Sequence, residues 1–211
     1  MPKRYSVSFT KAGTYTYLCV FHPGMEGTIT VQPAGSSYPQ TQTQYDKIAA
    51  DESRAALARA QRIIESNKPV ATGPPSQRTY TLNMVGTAKD PVSVFRFAAK
   101  RLVIRRGDTV RWVMNDPAEM HTVTFGATKP FEVMTIKPQP QGPPLVVVNQ
   151  RSMNPAGGPS HRGSGFYNSG FMFTQGPGAR RYTLTFTKSG TYKYECTTHD
   201  AFGMNATIVV Q

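Results

Sequence analysis

The chain has 211 residues and carries 24 lysines and arginines against 12 aspartates and glutamates, so its net charge is +12. This length suffices for one or two domains, and no apolar stretch is long enough to cross a membrane as a helix. No nucleic-acid recognition motif accompanies the basic charge, so we expect a solvated surface that favours an acidic protein partner over nucleic acid.

The first 35 residues combine predicted strands with a loop of metal-binding residue types. Apolar and polar residues alternate over residues 5–10 and 14–19, which predicts two strands, and a third strand follows the loop. The loop offers a thiolate, an imidazole and a thioether, from Cys19, His22 and Met25. Because no histidine precedes Cys19 in the sequence, we expect this metal site to be incomplete.

Residues 36–77 are predicted to be a linker built around one helix. Glycine, proline and polar residues at its start indicate a flexible connector. The helix is expected over residues 45–66, where apolar residues recur at helical spacing, namely Ile48, Leu57, Ala60, Ile63 and Ile64. We expect a spacer that lies on one domain; self-association through this apolar stripe is the alternative.

Residues 78–211 contain enough predicted strands for a complete β-sandwich. Strands are expected at residues 78–85 and 109–114, with Trp112 in the core, and His121 falls in a third strand-like run at residues 119–125. Residues 126–179 form a long insertion rich in glycine, proline and asparagine, with one predicted strand at residues 145–148. Ordinary sandwich loops are much shorter than this insertion.

The last 30 residues carry a second loop with soft-metal donors. Strands are predicted at residues 182–187, 191–196 and 206–210, and the loop between the last two holds Cys196, His199 and Met204. Together with the distant His121, these residues supply two imidazoles, a thiolate and a thioether. This donor set is typical of a blue-copper electron-transfer centre.

In this order and spacing, the four residues resemble the ligands of the cupredoxins, the plastocyanin/azurin family of blue copper proteins. The Cys-x2-His-x4-Met spacing matches the plastocyanin form of the loop. The resemblance implies an all-β Greek-key sandwich and one copper ion, with His121, Cys196 and His199 as equatorial ligands and Met204 as the axial ligand. It also implies one-electron transfer to a redox partner through the surface edge of His199, near Phe202, and a periplasmic or extracellular location.

Residues 5–19 repeat the pattern of residues 182–196, so the N-terminus resembles the last strands of a second cupredoxin domain. About 35 residues are too few for a Greek-key sandwich, which needs about 100. We expect an N-terminal truncation of a two-domain protein, which would also account for the lack of a visible signal peptide. The alternatives are strands that pair with another chain and a remnant that binds no copper.

Other functions for the same residues are less well supported by the sequence. A multicopper oxidase or copper nitrite reductase needs additional histidine-rich sites, but the four histidines, at positions 22, 121, 161 and 199, form no His-x-His motif. We therefore expect no enzymatic activity, and we expect His161 to be a solvated loop residue. A copper carrier, store or sensor would use the same ligands, and an adhesion-like sandwich could retain them without metal.

Overall fold

The computed structural model describes residues 4–20, 22, 24–87, 92–127, 131–176 and 178–211. In chain order its strands and helices are β1 Gly13–Leu18, β2 Glu26–Val31, α1 Gln42–Ser66, β3 Val70–Thr72, β4 Thr79–Thr87, β5 Val92–Ser93, β6 Arg101–Ile104, β7 Thr109–Asn115, β8 Thr124–Phe125, β9 Met134–Lys137, β10 Leu145–Val148, α2 Gln150–Met153, β11 Pro155–Ala156, β12 Ser160–His161, β13 Tyr167–Ser169, β14 Arg181–Phe186, β15 Gly190–Glu195 and β16 Asn205–Val210. The predicted β-sandwich is confirmed, and the long helix makes the chain mostly β rather than all-β.

Two sheets form the sandwich. One has the strand order β11-β13-β8-β15-β16-β6, and the other has the order β12-β14-β7-β4-β3, with β5 paired to β4. The strands β14 and β15 are consecutive in sequence but belong to opposite sheets, so the short turn between them crosses from one layer to the other. This crossing places the end of β15 beside β8, at the edge of the core.

The core fills the space between the inner faces of the two sheets. Alternation along β7 and β14 buries Val110, Trp112, Leu184 and Phe186, as a strand with one face on a core requires. The predicted burial of Trp112 is confirmed: its side chain is fully buried, and Tyr194 of the facing sheet meets it edge-on at 5.4 Å between ring centroids.

The N-terminal strands pair only in part. Strands β1 and β2 form an antiparallel hairpin with Gly13 opposite Val31, but residues 5–10 are not a strand, contrary to the prediction. Their sequence counterpart, β14, is held by hydrogen bonds to β7. A segment without such a partner leaves its main-chain groups to water, which explains the difference.

Helix α1 begins three residues before its predicted start and ends where expected. Thr41 caps it, because the Thr41 hydroxyl accepts the Gln44 N–H while the Gln44 side chain accepts the Thr41 N–H. At its other end, the Asn67 side chain donates to the Asn83 carbonyl of β4. Within the described ranges, no helix is both long and apolar enough to span a membrane. The division into domains at residues 35 and 77 stays a prediction.

His161 is a buried aromatic-cluster residue, so the prediction of a solvated loop histidine is wrong. It lies on β12, which pairs in parallel with β14, and only 3% of its surface is exposed. Its ring stacks on Tyr167 at 4.5 Å and on Phe186 at 5.3 Å. Burial among these rings lowers the pKa of His161.

We expect the His161→Phe substitution to remove part of the acid sensitivity of the fold. Below about pH 6.5, where a free histidine takes up a proton, the unfolded chain gains that proton before the folded one, so His161 lowers stability as pH falls. Urea unfolding of both copper-free proteins between about pH 7 and pH 5 should therefore shift the stability difference in favour of the variant. A difference that stays constant with pH would contradict this role.

Candidate metal centre

Three buried side chains converge at one end of the sandwich. The ligand atoms of His121, Cys196 and His199 all lie within 4.8 Å of one another. The two Nδ1 atoms are 3.1 Å apart, and Cys196 Sγ lies 3.6 Å from Nδ1 of His121 and 3.5 Å from Nδ1 of His199. The structure thus brings together two loops that are separated by 75 residues or more in sequence.

Main-chain hydrogen bonds close the loop that follows β15. The Cys196 N–H donates to the Met204 carbonyl at 2.9 Å, and the Met204 N–H donates to the His199 carbonyl at 3.2 Å. Gly203 adopts a φ of 79°, which lets the chain turn from a single 3-10 turn into β16. The Lys100 ammonium ties down the same end by donating to the Gly203 carbonyl at 2.7 Å. Met204 is fully buried beside the other three residues.

His121 reaches the site from an irregular segment, so the predicted strand at residues 119–125 is wrong except for β8 at its end. The Asp116 carboxylate accepts the N–H groups of Ala118 and Glu119, which turns the chain out of the sheet after β7. His121 is then fixed by two main-chain hydrogen bonds with Met172. The Asp-Pro pair at positions 116 and 117 was the sequence signal for this turn.

The sulfur of Cys196 is buried and polarised by its neighbours. The Thr122 N–H points at Sγ from 3.3 Å, and the Thr198 hydroxyl lies 3.0 Å away. Burial raises the pKa of Cys196, but hydrogen bonds with His121 and His199 outweigh it and hold the pKa well below its usual value. The site therefore favours the thiolate, which is the form that binds metals.

Each histidine turns its other ring nitrogen toward a carboxylate. Nε2 of His121 lies 3.4 Å from Asp116 Oδ2, and Nε2 of His199 lies 3.5 Å from Glu119 Oε2. Burial lowers the pKa of His121, but the hydrogen bonds to Asp116 and Cys196 outweigh it and raise the pKa to about 9. Neither carboxylate was predicted from the sequence, because acidic residues near a histidine are common and the pairing depends on the turn.

Gly86 on β4 leaves the space that Asp116 occupies. A Cβ atom at this position would collide with the Asp116 carboxylate. The carboxylate also contacts the Ser93 hydroxyl at 3.1 Å, and the pKa of Asp116 is lowered because its contacts with His121 and Ala118 outweigh the effect of burial. The support of His121 thus extends into the second sheet.

The sequence of residues 83–211 matches that of the copper binding proteins of the plastocyanin/azurin family. The chain belongs to this family. Similar solved structures include the Cu(I) form of an amicyanin mutant, with 21% identity, a TM-score of 0.38, and coverage of 69% of this chain and 94% of that chain. The oxidized plastocyanin of Dryopteris crassirhizoma has 13% identity and a TM-score of 0.37, covering 62% of this chain and 99% of that one. No curated protein matches the chain.

The donors of this cupredoxin fit a single copper ion. An ion bonded at about 2.0–2.3 Å to two nitrogens and a sulfur separates them by about 3–4 Å, and the separations here are 3.1, 3.5 and 3.6 Å. Because each Nε2 faces a carboxylate, each Nδ1 is turned toward the cysteine sulfur. In the metal-free site, the hydrogen bonds of Cys196 with His121 and His199 keep protons between these atoms, and a copper ion would replace those protons. The nitrogen-thiolate set is that of type 1 copper.

The ring of His199 is more enclosed than its expected role as a surface electron port implies. It is 7% exposed, and Phe95 stacks on it at 4.2 Å with 12° between the ring planes. Phe202, which is 70% exposed, lies 5.3 Å from Phe95. The ring edge faces Glu119, and the aromatic surface beside the site comes from Phe95 and Phe202.

The N-terminal loop also lies against this site. Cys19 Sγ is 3.1 Å from Nδ1 of His22, and Nε2 of His22 is 3.7 Å from Glu119 Oε1. Glu119 therefore contacts a histidine from each of the two loops. Cys19 and Cys196 do not form a disulfide with each other, and Met25 is 60% exposed.

We expect the Asp116→Asn substitution to weaken copper binding about 10- to 100-fold, because it removes the charge that orients His121 while keeping the side-chain shape. A competition titration with a copper chelator measures this loss. Asp51→Asn, on an exposed face of α1, is the matched control and should bind copper as the wild type does. Equal affinity of the Asp116→Asn and Asp51→Asn variants would contradict the orienting role.

Proposed function

We propose that His121, Cys196, His199 and Met204 would hold one copper ion and that the protein carries single electrons. The observation that carries this proposal is the convergence of two Nδ1 atoms and one thiolate among buried side chains. A family of non-catalytic electron carriers supplies the wider context. Bound copper would supply the chemistry by alternating between Cu(II) and Cu(I).

The chain's own residues keep the donors in place during this exchange. Both imidazoles are held at their outer nitrogens by Asp116 and Glu119, and Cys196 is held by the Thr122 N–H. Donors fixed from several elements cannot relax toward the geometry that either oxidation state prefers, so little reorganisation accompanies electron transfer. Burial excludes water from the sulfur.

A tightly closed loop favours electron transfer over copper delivery. A carrier must release its ion, but the ligand loop is closed by the hydrogen bonds between Cys196, His199 and Met204, and its end is tied by Lys100. Electrons need only reach the surface, and the stacked rings of Phe95 and His199 bring the site close to exposed Phe202.

The Cys196→Ser substitution should abolish the intense blue absorption, because that band arises from charge transfer between the cysteine thiolate and Cu(II). The visible spectrum and cyclic voltammetry of the copper-loaded proteins measure the result. Cys19→Ser is the control and should keep both the blue band and a reversible one-electron wave. A Cys196→Ser protein that stays fully blue would overturn the ligand assignment.

We also infer that the N-terminal hairpin is a partial second copy of the last strands of the sandwich. The Cys19 N–H donates to the Met25 carbonyl at 2.8 Å, and the Met25 N–H donates to the His22 carbonyl at 3.0 Å. The same two bonds close the loop from Cys196 to Met204. The Tyr15 hydroxyl donates to the Lys11 carbonyl, as the Tyr192 hydroxyl does to the Lys188 carbonyl. These matching hydrogen bonds support a division of the chain into a partial copy at residues 1–35, a linker at 36–77 and a complete domain at 78–211.

We further propose an acidic redox partner, in a periplasmic or extracellular setting. The net charge of +12 supports such a partner. Exposed basic pairs lie along the chain, at Lys100-Arg101, Arg105-Arg106 and Arg180-Arg181. The first pair adjoins the copper loop, because Lys100 donates to the Gly203 carbonyl.

We expect Arg101→Gln to slow electron transfer to an acidic partner at low salt, since it removes a positive charge beside the loop. Stopped-flow mixing with an acidic electron-transfer protein measures the rate, and rising salt should reduce the difference from wild type. Lys47→Gln, which removes the same charge from α1, should have a smaller effect. Equal rates for the wild type and both variants, or a rate that rises with salt, would contradict the proposal.

A further inference from the structure

We propose that Cys19, His22 and Met25 bind a second copper ion, as Cu(I), at the surface of the type 1 site. This ion would bring no blue colour and would be additional to the copper held by Cys196. The proposal goes beyond the proposed electron-transfer function and does not depend on it, because the two sites have separate ligands.

His22 has the same hydrogen-bonding arrangement as His121 and His199 in the type 1 site. Each turns Nδ1 toward a cysteine sulfur and Nε2 toward a carboxylate. For His22 the distances are 3.1 Å to Cys19 Sγ and 3.7 Å to Glu119 Oε1. A carboxylate behind a histidine fixes the ring and makes its other nitrogen a better ligand, which is the usual second layer of a metal site. His22 is therefore oriented as a ligand.

The donors of the N-terminal loop differ from those of the type 1 site in a way that selects Cu(I). The described residues place no second imidazole near Cys19, since His121 and His199 face Cys196 and His161 is buried beside β14. Thiolate and thioether donors are the soft ligands that Cu(I) prefers. Cu(I), with a filled d shell, accepts two or three ligands without a demanding geometry. The exposed Met25 side chain has three rotatable bonds with which to approach the ion.

Glu119 joins the two sites. Its Oε1 atom faces His22 and its Oε2 atom faces His199, so one carboxylate orients a ligand of each ion. The side chain of His199 is 9% exposed, whereas that of His22 is 44% exposed. The second ion would thus lie nearer to the solvent than the first. Binding would release the Cys19 thiol proton to water and leave the oxidation state of copper unchanged.

Anaerobic titration of the copper-free full chain with Cu(I), against a Cu(I) chelator, tests the proposal. We expect the wild type to bind two equivalents, and the Cys19→Ser and Cys196→Ser variants to bind one each. The retained equivalent of Cys196→Ser should show sulfur and nitrogen ligands in copper X-ray absorption. Val20→Ser changes an exposed neighbour that offers no soft donor, and this control should still bind two equivalents.

The results separate this site from the type 1 site. A wild type that binds one equivalent and a Cys196→Ser variant that binds none would overturn the second site and leave the electron-transfer proposal standing. A Cys19→Ser variant that binds one equivalent fewer than the wild type, together with a Cys196→Ser variant that binds as many as the wild type, would support the second site and count against the type 1 ligands. Two equivalents in Cys19→Ser would also overturn the proposal.

Discussion

The structure depends on holding two imidazole nitrogens and a thiolate within 3.1 to 3.6 Å of one another in a buried space. In the metal-free protein, hydrogen bonds with the two imidazoles stabilise the thiolate, and contacts with the surrounding fold hold the three side chains in place. Hydrogen bonds fix the loop of Cys196 and His199, and those with Met172 fix His121. A copper ion would replace the protons shared between the donors and bind all three of them.

The support of the site reaches through both sheets. Asp116 follows β7 of one sheet, needs the open space at Gly86 of β4, and orients His121, which lies before β8 of the other sheet. The Asp116 carboxylate accepts the N–H groups that form the turn and also faces the His121 imidazole. A rigid sandwich can therefore determine the position of a ligand that lies on no regular element. The same logic places Glu119, which follows from the turn that Asp116 creates.

The N-terminal hairpin shows which hydrogen bonds form between residues close in sequence when no further strand pairs with them. Its antiparallel pairing, its closed loop and its tyrosine-to-carbonyl bond repeat those at the C-terminal end. These features involve residues that are close in sequence. The segment at residues 5–10 does not repeat the strand β14, because β14 depends on β7 across the sheet. In this hairpin the local hydrogen bonds therefore form without a partner strand, whereas the pairing with a distant strand that β14 shows is missing from residues 5–10.

The sequence by itself determined the sandwich, the loop of Cys196, His199 and Met204, and the choice of His121 as the distant donor. Alternation and donor spacing are local properties, and few residue types can bind a soft metal. Only the tertiary structure decided that His121 lies on an irregular segment, that Asp116 and Glu119 orient the histidines, and that His161 belongs to the core. These facts depend on contacts between segments that meet only when the two sheets pack together. The position of the N-terminal loop against Glu119 was decided in the same way, since no pattern along the chain relates residue 22 to residue 119.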